Sequence, residues 1–187
     1  KLTSGSKILD AGCGEGEGTL EYAQIDDVSI HAVDFSETRL SKAKKRLTNC
    51  SNVSFQQVDF LSNYNLDNDF DFIIAQRFLI NLMEWDLQKK VILDLVAHLK
   101  EGGRFLMFEG SRDGVDALNS LREIFGLGPI DVKWHNLFFD HKQIEELLEE
   151  NNLKLVEKDG LGAYFLLTRG VRPILEEDLS WDTEFNE

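Results

Sequence analysis

The chain has 187 residues, 42% apolar and 29% charged, which suits one globular domain with a single sizeable core. Twenty Lys and Arg stand against 34 Asp and Glu, a formal net charge of -14 that repels polyphosphate and anionic lipid, so nucleic acid and membrane surfaces are poor partners. Two cysteines, Cys13 and Cys50, exclude a disulfide framework or a CxxC metal pair, and no apolar run reaches the length of a membrane span; a cytoplasmic protein is expected. The sequence opens at Lys1, close to its first apolar run and without an initiator Met, so a longer parent chain is expected.

The first element is Lys7 to Thr19, KILDAGCGEGEGT. Ile8 and Leu9 lead into Asp10 and then glycines at 12, 14, 16 and 18, the pattern of a buried strand, a tight loop and a helix from about Glu17 to Gln24. Glycine lets backbone approach a ligand closely, and the helix would aim its first amides at whatever the loop holds. Glu17 stands where the third glycine of GxGxxG would be, and with Glu15 it sets negative charge against a pyrophosphate, favouring a ligand that is cationic or neutral at this end. The stretch ILDAGCGEG resembles motif I of class I S-adenosylmethionine-dependent methyltransferases. The resemblance implies S-adenosyl-L-methionine as cofactor, its sulfonium and ammonium suiting an acidic loop, with Asp10, Gly12, Cys13 and Gly14 among the residues that hold it. By residue type alone Cys13 is a small packing residue.

Val28 to Phe35 (VSIHAVDF) reads as a second buried strand ending on Asp34, roughly 20 residues past the glycine loop, the separation that brings a carboxylate to a ribose. The resemblance makes Asp34 the motif II acid for the ribose hydroxyls and lays Phe35 against the adenine. Ser36 can cap a basic helix running to about Thr48. Val53 to Phe60 is a third strand, finishing in Asp59; three acids, Asp10, Asp34 and Asp59, then share the carboxyl edge of a parallel sheet. By resemblance Asp59 and Phe60 contact the adenine.

Asn63 to Asp69 is turn-rich, so the next crossover helix is short or missing, and Phe70 to Gln76 is a fourth strand. Its end lacks both an NPPY-type tetrapeptide and the acid cluster a divalent metal would need, so no metal is expected. Gln76 is assigned to the cofactor and Arg77 to the substrate, with Asn81 as a further polar group. A helix is expected over Asp86 to Lys100, ended by Gly102 and Gly103, before a fifth strand, Arg104 to Phe108, that closes at Glu109. LKEGGRFLMFE resembles a helix-to-strand segment of the same superfamily, with Glu101 replacing its usual proline.

Residues 110–140 form the variable insertion, with a helix over Asp113 to Phe125 and a cluster at Trp134, His135 and Asn136. Asn119 and Arg122, at i and i+3, share a helix face and, with Trp134 and Asn136, are the substrate-binding candidates. His135 is the candidate base, because imidazole titrates near neutral pH, and Glu109 is its competitor. The run EGSRDG…LNSLR…WHN resembles small-molecule or sugar O-methyltransferases of bacterial surface-polysaccharide genes. A capped helix over Asp140 to Asn151 and two strands, Leu153 to Val156 and Tyr164 to Arg169, complete the domain, and an acidic tail follows Pro173.

The resulting expectation is a single α/β domain over 1–173 with a tail at 174–187. Its sheet is doubly wound, Rossmann-like and mostly parallel, seven strands in the order 3-2-1-4-5-7-6 with the last antiparallel. It would transfer a methyl group from S-adenosyl-L-methionine to a hydroxyl of a small molecule, with a sugar or surface-polysaccharide precursor as the acceptor class. One rival is a silent cofactor-binding scaffold of a longer protein; another, a nicotinamide dehydrogenase, is disfavoured by Glu17.

Overall fold

The computed structural model describes residues 2–176. Five apolar runs become five strands: β1 (Lys7–Ala11), β2 (Ser29–Asp34), β3 (Val53–Gln57), β4 (Phe70–Gln76) and β5 (Leu99–Phe108). All pair in parallel, in the order β3-β2-β1-β4-β5. Parallel neighbours need crossovers, and α1 (Glu17–Tyr22), α2 (Glu37–Arg46) and α3 (Trp85–Ala97) supply three of them. Residues 58–69 cross without a helix, as their turn chemistry predicts. Ser36 starts α2 by accepting the Arg39 N–H on its hydroxyl.

Register decides what each face buries. Ile8 stands beside Ile30 and Phe72, so Ile8, Ile30, Ala32, Phe72 and Ile74 share one face and pack with Leu40 of α2. The alternate residues Leu9, Ala11, Val33, Ile73 and Ala75 are buried as well. A sheet covered on both faces calls for the near-continuous apolar strands seen here. Strand order reverses between β1 and β4, and a crevice outside the carboxyl ends of those two strands is where doubly wound sheets take ligands.

The chain divides into two compact units, one running to Glu109 and including His135–Leu137, the other Gly110–Trp134 with the chain from Phe138 onward. In the second unit α4 (Arg112–Ile124) and α5 (His141–Glu150) are capped by Ser111, which accepts the Gly114 N–H at 3.1 Å, and by Asp140, which accepts the Gln143 N–H at 3.1 Å. No helix among the described residues is long and apolar enough to cross a membrane.

The sheet has five described strands where seven were expected. Leu153 to Val156 lies in irregular chain, and Tyr164 to Arg169 is helical, split between α6 (Gly162–Phe165) and a π-helical turn, Leu166–Val171. A short apolar run fits a buried strand and a buried helical turn equally well. Here the Thr168 hydroxyl donates to the Tyr164 carbonyl at 2.7 Å, an i to i−4 link that only helical winding allows, and Pro173 sits in the first turn of α7 (Arg172–Leu175). Gly102 and Gly103 do not end α3: that helix stops at Ala97, and β5 starts at Leu99. The register then jumps from Leu99 beside Phe70 to Arg104 beside Phe72, a bulge that the glycines absorb. Asp59 lies two residues beyond β3, which ends at Gln57. The expected acidic tail lies, from 177 on, outside the described residues.

Candidate functional site

A cleft of about 400 Å³ opens in the first unit, lined by Gly12, Asp34, Phe35, Ser36, Arg39, Phe60, Arg77, Phe78 and Asn81. Four chain segments converge there: the glycine loop after β1, the end of β2 with the start of α2, Phe60 in the chain after β3, and the turn after β4. The loop is stitched to β2 by main-chain bonds, the Gly12 and Cys13 N–H groups both donating to the Val33 carbonyl at 2.8 and 2.9 Å. Gly12 has φ 75°, and a Cβ there would lie 2.6 Å from Cβ and Cγ of Phe78, so only glycine lets this wall close. Gly14 has φ 58° with open space where its Cβ would be.

Asp34 joins two of the segments. It is 7% exposed, and its Oδ2 accepts the Gly14 N–H at 2.9 Å while Oδ1 accepts the Ser36 N–H at 2.9 Å. Each carboxylate oxygen has a second lone pair left. Phe35, the next residue, is 71% exposed, an unusual state for so large an apolar ring, and it lines the cleft. Phe60 lies across from it, buried, its ring 5.3 Å from that of Phe78. Asp10 sits deeper, 4% exposed; burial pushes its pKa up to about 6, against the pull of the Thr19 hydroxyl, which donates to Oδ2 at 2.6 Å. Burial likewise drives the Cys13 thiol upward, the signature of a packing cysteine rather than a reactive one.

Charge around the loop differs from the expectation. Glu15 pairs with Lys42 at 2.7 Å and Glu17 with Arg46 at 2.6 Å, so the basic face of α2 neutralises both loop acids. The charged groups that line the cleft are Asp34, Arg39 and Arg77. A free acidic loop mouth is therefore corrected to one carboxylate among two cations.

The turn after β4 carries the features that sequence reasoning left unread. Arg77 holds φ 52°, a left-handed conformation uncommon for any residue but glycine, and its N–H donates to the Phe108 carbonyl at 3.0 Å. Asn81 donates through Nδ2 to the carbonyls of Arg77 at 2.9 Å and Phe78 at 3.0 Å. Leu79–Asn81 form one 3₁₀ turn. Buried Gln88 of α3 donates through Nε2 to the carbonyls of Leu79 at 3.1 Å and Leu137 at 2.8 Å, while the Leu137 N–H donates to the Ile80 carbonyl at 2.7 Å. His135, exposed, rides on this docked segment two residues before Leu137. Phe78, Ser36, Arg39 and Gln88 were not among the site candidates; Ser36 and Phe78, uncharged and just past a strand, carry no periodic signal, and Arg39 and Gln88 read as further helical positions.

The remaining candidates take other places. Glu109 turns both carboxylate oxygens onto backbone N–H groups, Oε1 accepting from Phe78 at 3.1 Å and Leu79 at 2.9 Å and Oε2 from Ile80 at 3.4 Å. Burial nevertheless lifts its pKa to about 7. The Gln76 Oε1 accepts the Tyr22 hydroxyl at 3.2 Å, outside the cleft lining. Asp59 spends Oδ1 on the Leu61 N–H at 2.9 Å and Oδ2 on the Ser62 hydroxyl at 2.8 Å, holding its own turn. In the second unit Asn119 exchanges two bonds with the backbone of Ile130, at 2.7 and 3.2 Å, and Arg122 donates to the Gly128 carbonyl at 2.8 Å and to the Arg169 carbonyl. Both side chains thus hold their own unit together. Trp134 is 87% exposed, and Asn136 is half-buried.

Comparison with known proteins agrees with this geometry. The family described as "Methyltransferase domain" matches residues 2–153. Demethylmenaquinone methyltransferase of Staphylococcus carnosus (strain TM300) is 25% identical over 169 residues, which cover 89% of this chain and 68% of that protein. The 27-O-demethylrifamycin SV methyltransferase of Amycolatopsis mediterranei (strain S699) is 28% identical over 110 residues, 57% of this chain and 39% of that one. The crystal structure of Haemonchus contortus phosphoethanolamine N-methyltransferase 2, in complex with S-adenosyl-L-methionine, superposes with a TM-score of 0.66 at 20% identity, covering 95% of this chain and 40% of that one; at such identity the likeness is one of fold. The family match spans most of the chain, so the chain belongs to the methyltransferase domain family and is a class I S-adenosylmethionine-dependent methyltransferase.

Proposed function

We propose that this methyltransferase binds its cofactor in the cleft after β1, β2, β3 and β4 and moves the methyl group to a hydroxyl of a small molecule, a sugar or surface-polysaccharide precursor being the acceptor class that the sequence resemblance favours. The observation that carries the reading is the convergence on one cleft of Gly12, Asp34, Phe35 and Phe60, residues drawn from three separate strand ends. The residues present fit an adenosyl ligand. The volume falls within the range of small-molecule sites, the free lone pairs of Asp34 can accept ribose hydroxyls, and the exposed Phe35 ring offers an adenine a stacking face. Open space beside Gly14 leaves room for the ligand to approach backbone.

The bound cofactor supplies a methyl group on a sulfonium, whose departing thioether is neutral and needs no acid. The chain then has to align the acceptor, exclude water and take one proton from the attacking hydroxyl. His135 is the proposed base: the segment that bears it is fastened through Leu137 to the 3₁₀ turn lining the cleft. Arg77 and Asn136 are proposed to contact the acceptor. Asn119 and Arg122 are engaged with backbone in the second unit, and we assign them to its folding. A small acceptor is supported by the printed names of two relatives, a demethylmenaquinone and a rifamycin methyltransferase, the second of which places the methyl on an oxygen. The net charge of -14 argues against a nucleic-acid acceptor.

The test is transfer of label from a methyl-labelled cofactor to a panel of nucleotide sugars, glycosides and phenols, beside amine and quinol controls. Label in a hydroxyl compound is the expected result. Label confined to amines or to carbon would overturn O-methylation, and tight S-adenosylhomocysteine binding with no turnover on any acceptor would favour the scaffold rival.

A further inference from the structure

The three amides that Glu109 receives open the 3₁₀ turn, and amides at a helix start have no partner within the helix. The same stretch, Arg77–Asn81, contributes Arg77, Phe78 and Asn81 to the cleft lining, a third of the residues that form it. Phe78 in turn lies against Gly12, at the spot a Cβ would fill. From β5, Glu109 therefore reaches the far wall of the cleft through backbone alone.

We propose that Glu109 is a positioning residue of this methyltransferase: its carboxylate pins the amides of Phe78, Leu79 and Ile80 and so holds Arg77, Phe78 and Asn81 in the form that accepts the cofactor. The proposal rests on the cleft being the cofactor site. A carboxylate suits the task because it presents acceptors at both oxygens, whereas a glutamine would turn an NH₂ toward an N–H. A protonated Glu109 would fail likewise, with its O–H facing donors.

The group is poised to change form. Burial pushes its pKa to about 7, the three N–H donors and the Arg77 cation working against that rise. Of the elements packed against it, the end of β4 brings Arg77; the 3₁₀ turn, with Leu79, Ile80 and Asn81, brings no ionisable side chain; the segment docked on that turn brings His135. Asp34 and Arg39 face the same cleft, and Asp10 beneath the loop has a pKa of about 6.

The experiment has two arms, both on the full chain. In the first, hydrogen exchange of the peptide covering 77–82 is followed without ligand from pH 6 to pH 8.5, corrected for intrinsic rates. At pH 8, where the carboxylate is charged, protection should be about tenfold higher in the wild type than in E109Q; equal protection in both proteins at that pH would overturn the proposal. In the second, calorimetry with S-adenosylhomocysteine should show affinity falling about tenfold per pH unit below pH 7 in the wild type, as coupling to one proton requires. That slope should persist in D10N and in H135A and vanish in E109Q, which should also bind roughly 10-fold to 100-fold more weakly at pH 8. Wild-type affinity that is flat with pH, or matched by E109Q, would defeat the proposal. Failure of S-adenosylhomocysteine to bind the wild type at any pH would instead defeat the cofactor reading of the cleft. Were E109Q unfolded by circular dichroism, E109D, which keeps the charge and shortens the reach, is expected to retain the pH step at reduced affinity.

Discussion

Replacing Gly12 with alanine gives a sharp trial of the cleft geometry, with Gly14→Ala as its control. Both glycines have left-handed φ, 75° and 58°, so alanine at either costs about 1–2 kcal/mol of backbone strain. At Gly12 the new Cβ would sit 2.6 Å from Cβ and Cγ of Phe78, against an ordinary carbon contact of about 3.5–4.0 Å, so the ring must retreat by about 1 Å. Phe78 has little freedom to do so: its ring packs on Phe60 at 5.3 Å, and its own amide is fixed by Glu109. Overpacking of this kind adds about 1–3 kcal/mol, for a total of roughly 2–5 kcal/mol at Gly12. At Gly14 nothing lies within 4 Å, and only the strain remains. Urea unfolding at pH 7.5 should therefore place Gly12→Ala about 1–3 kcal/mol below Gly14→Ala at an unchanged m-value. Calorimetry of the folded variants should show Gly14→Ala losing S-adenosylhomocysteine affinity beyond its modest loss of stability, since the methyl fills space left for the ligand. Equal stability of the two variants would refute the packing argument.

Three further outcomes can be checked together. Asp34→Ala should weaken S-adenosylhomocysteine binding by about 1–3 kcal/mol, because ribose hydroxyls and the amides of Gly14 and Ser36 all lose an acceptor; tighter binding of NAD than of S-adenosylhomocysteine by the wild type would contradict the site reading. Asp10 has its pKa raised in the folded state from 3.8 to about 6, so the stability it contributes is complete below pH 4 and is lost as pH rises through 6. Asp10→Asn keeps an acceptor for the Thr19 hydroxyl and should be about 1–3 kcal/mol more stable than wild type at pH 7, with the gap closing near pH 4; a gap independent of pH would show that burial is not the cause. His135→Ala should lower kcat by about 10²-fold to 10⁴-fold while cofactor affinity stays near wild type, and an unchanged kcat would remove His135 from the mechanism.

The five strands were legible because each is an apolar run closed by an acid, a glycine or a turn, and α2, α3, α4 and α5 each have a cap or a stripe. Asp34 and the glycine loop were legible as a pair because a βαβ unit fixes their separation, and the structure ties them directly through the Gly14 N–H. The loop glutamates were misread for want of distance: Lys42 lies midway along α2 and Arg46 at its end, and only the packed helix brings them to Glu15 and Glu17. Glu109 carried the right chemistry in sequence but not the right partner, since its acceptors serve amides about 30 residues earlier in the chain. Tyr164 to Arg169 misled because its apolar content is that of a strand while its winding is set by tertiary context.

The left-handed backbone of Arg77 has a consequence for how this chain can change. A long side chain held there gives up about 1–3 kcal/mol that glycine or asparagine would recover, since both tolerate that conformation. Selection for heat resistance over all substitutions at position 77 should accordingly drift toward Gly and Asn, while selection for turnover should hold Arg. Descendants of this sequence relieved of the cationic side chain would gain robustness and give up the acceptor contact proposed for Arg77, so the residue at this one position would report which demand a lineage has been obeying.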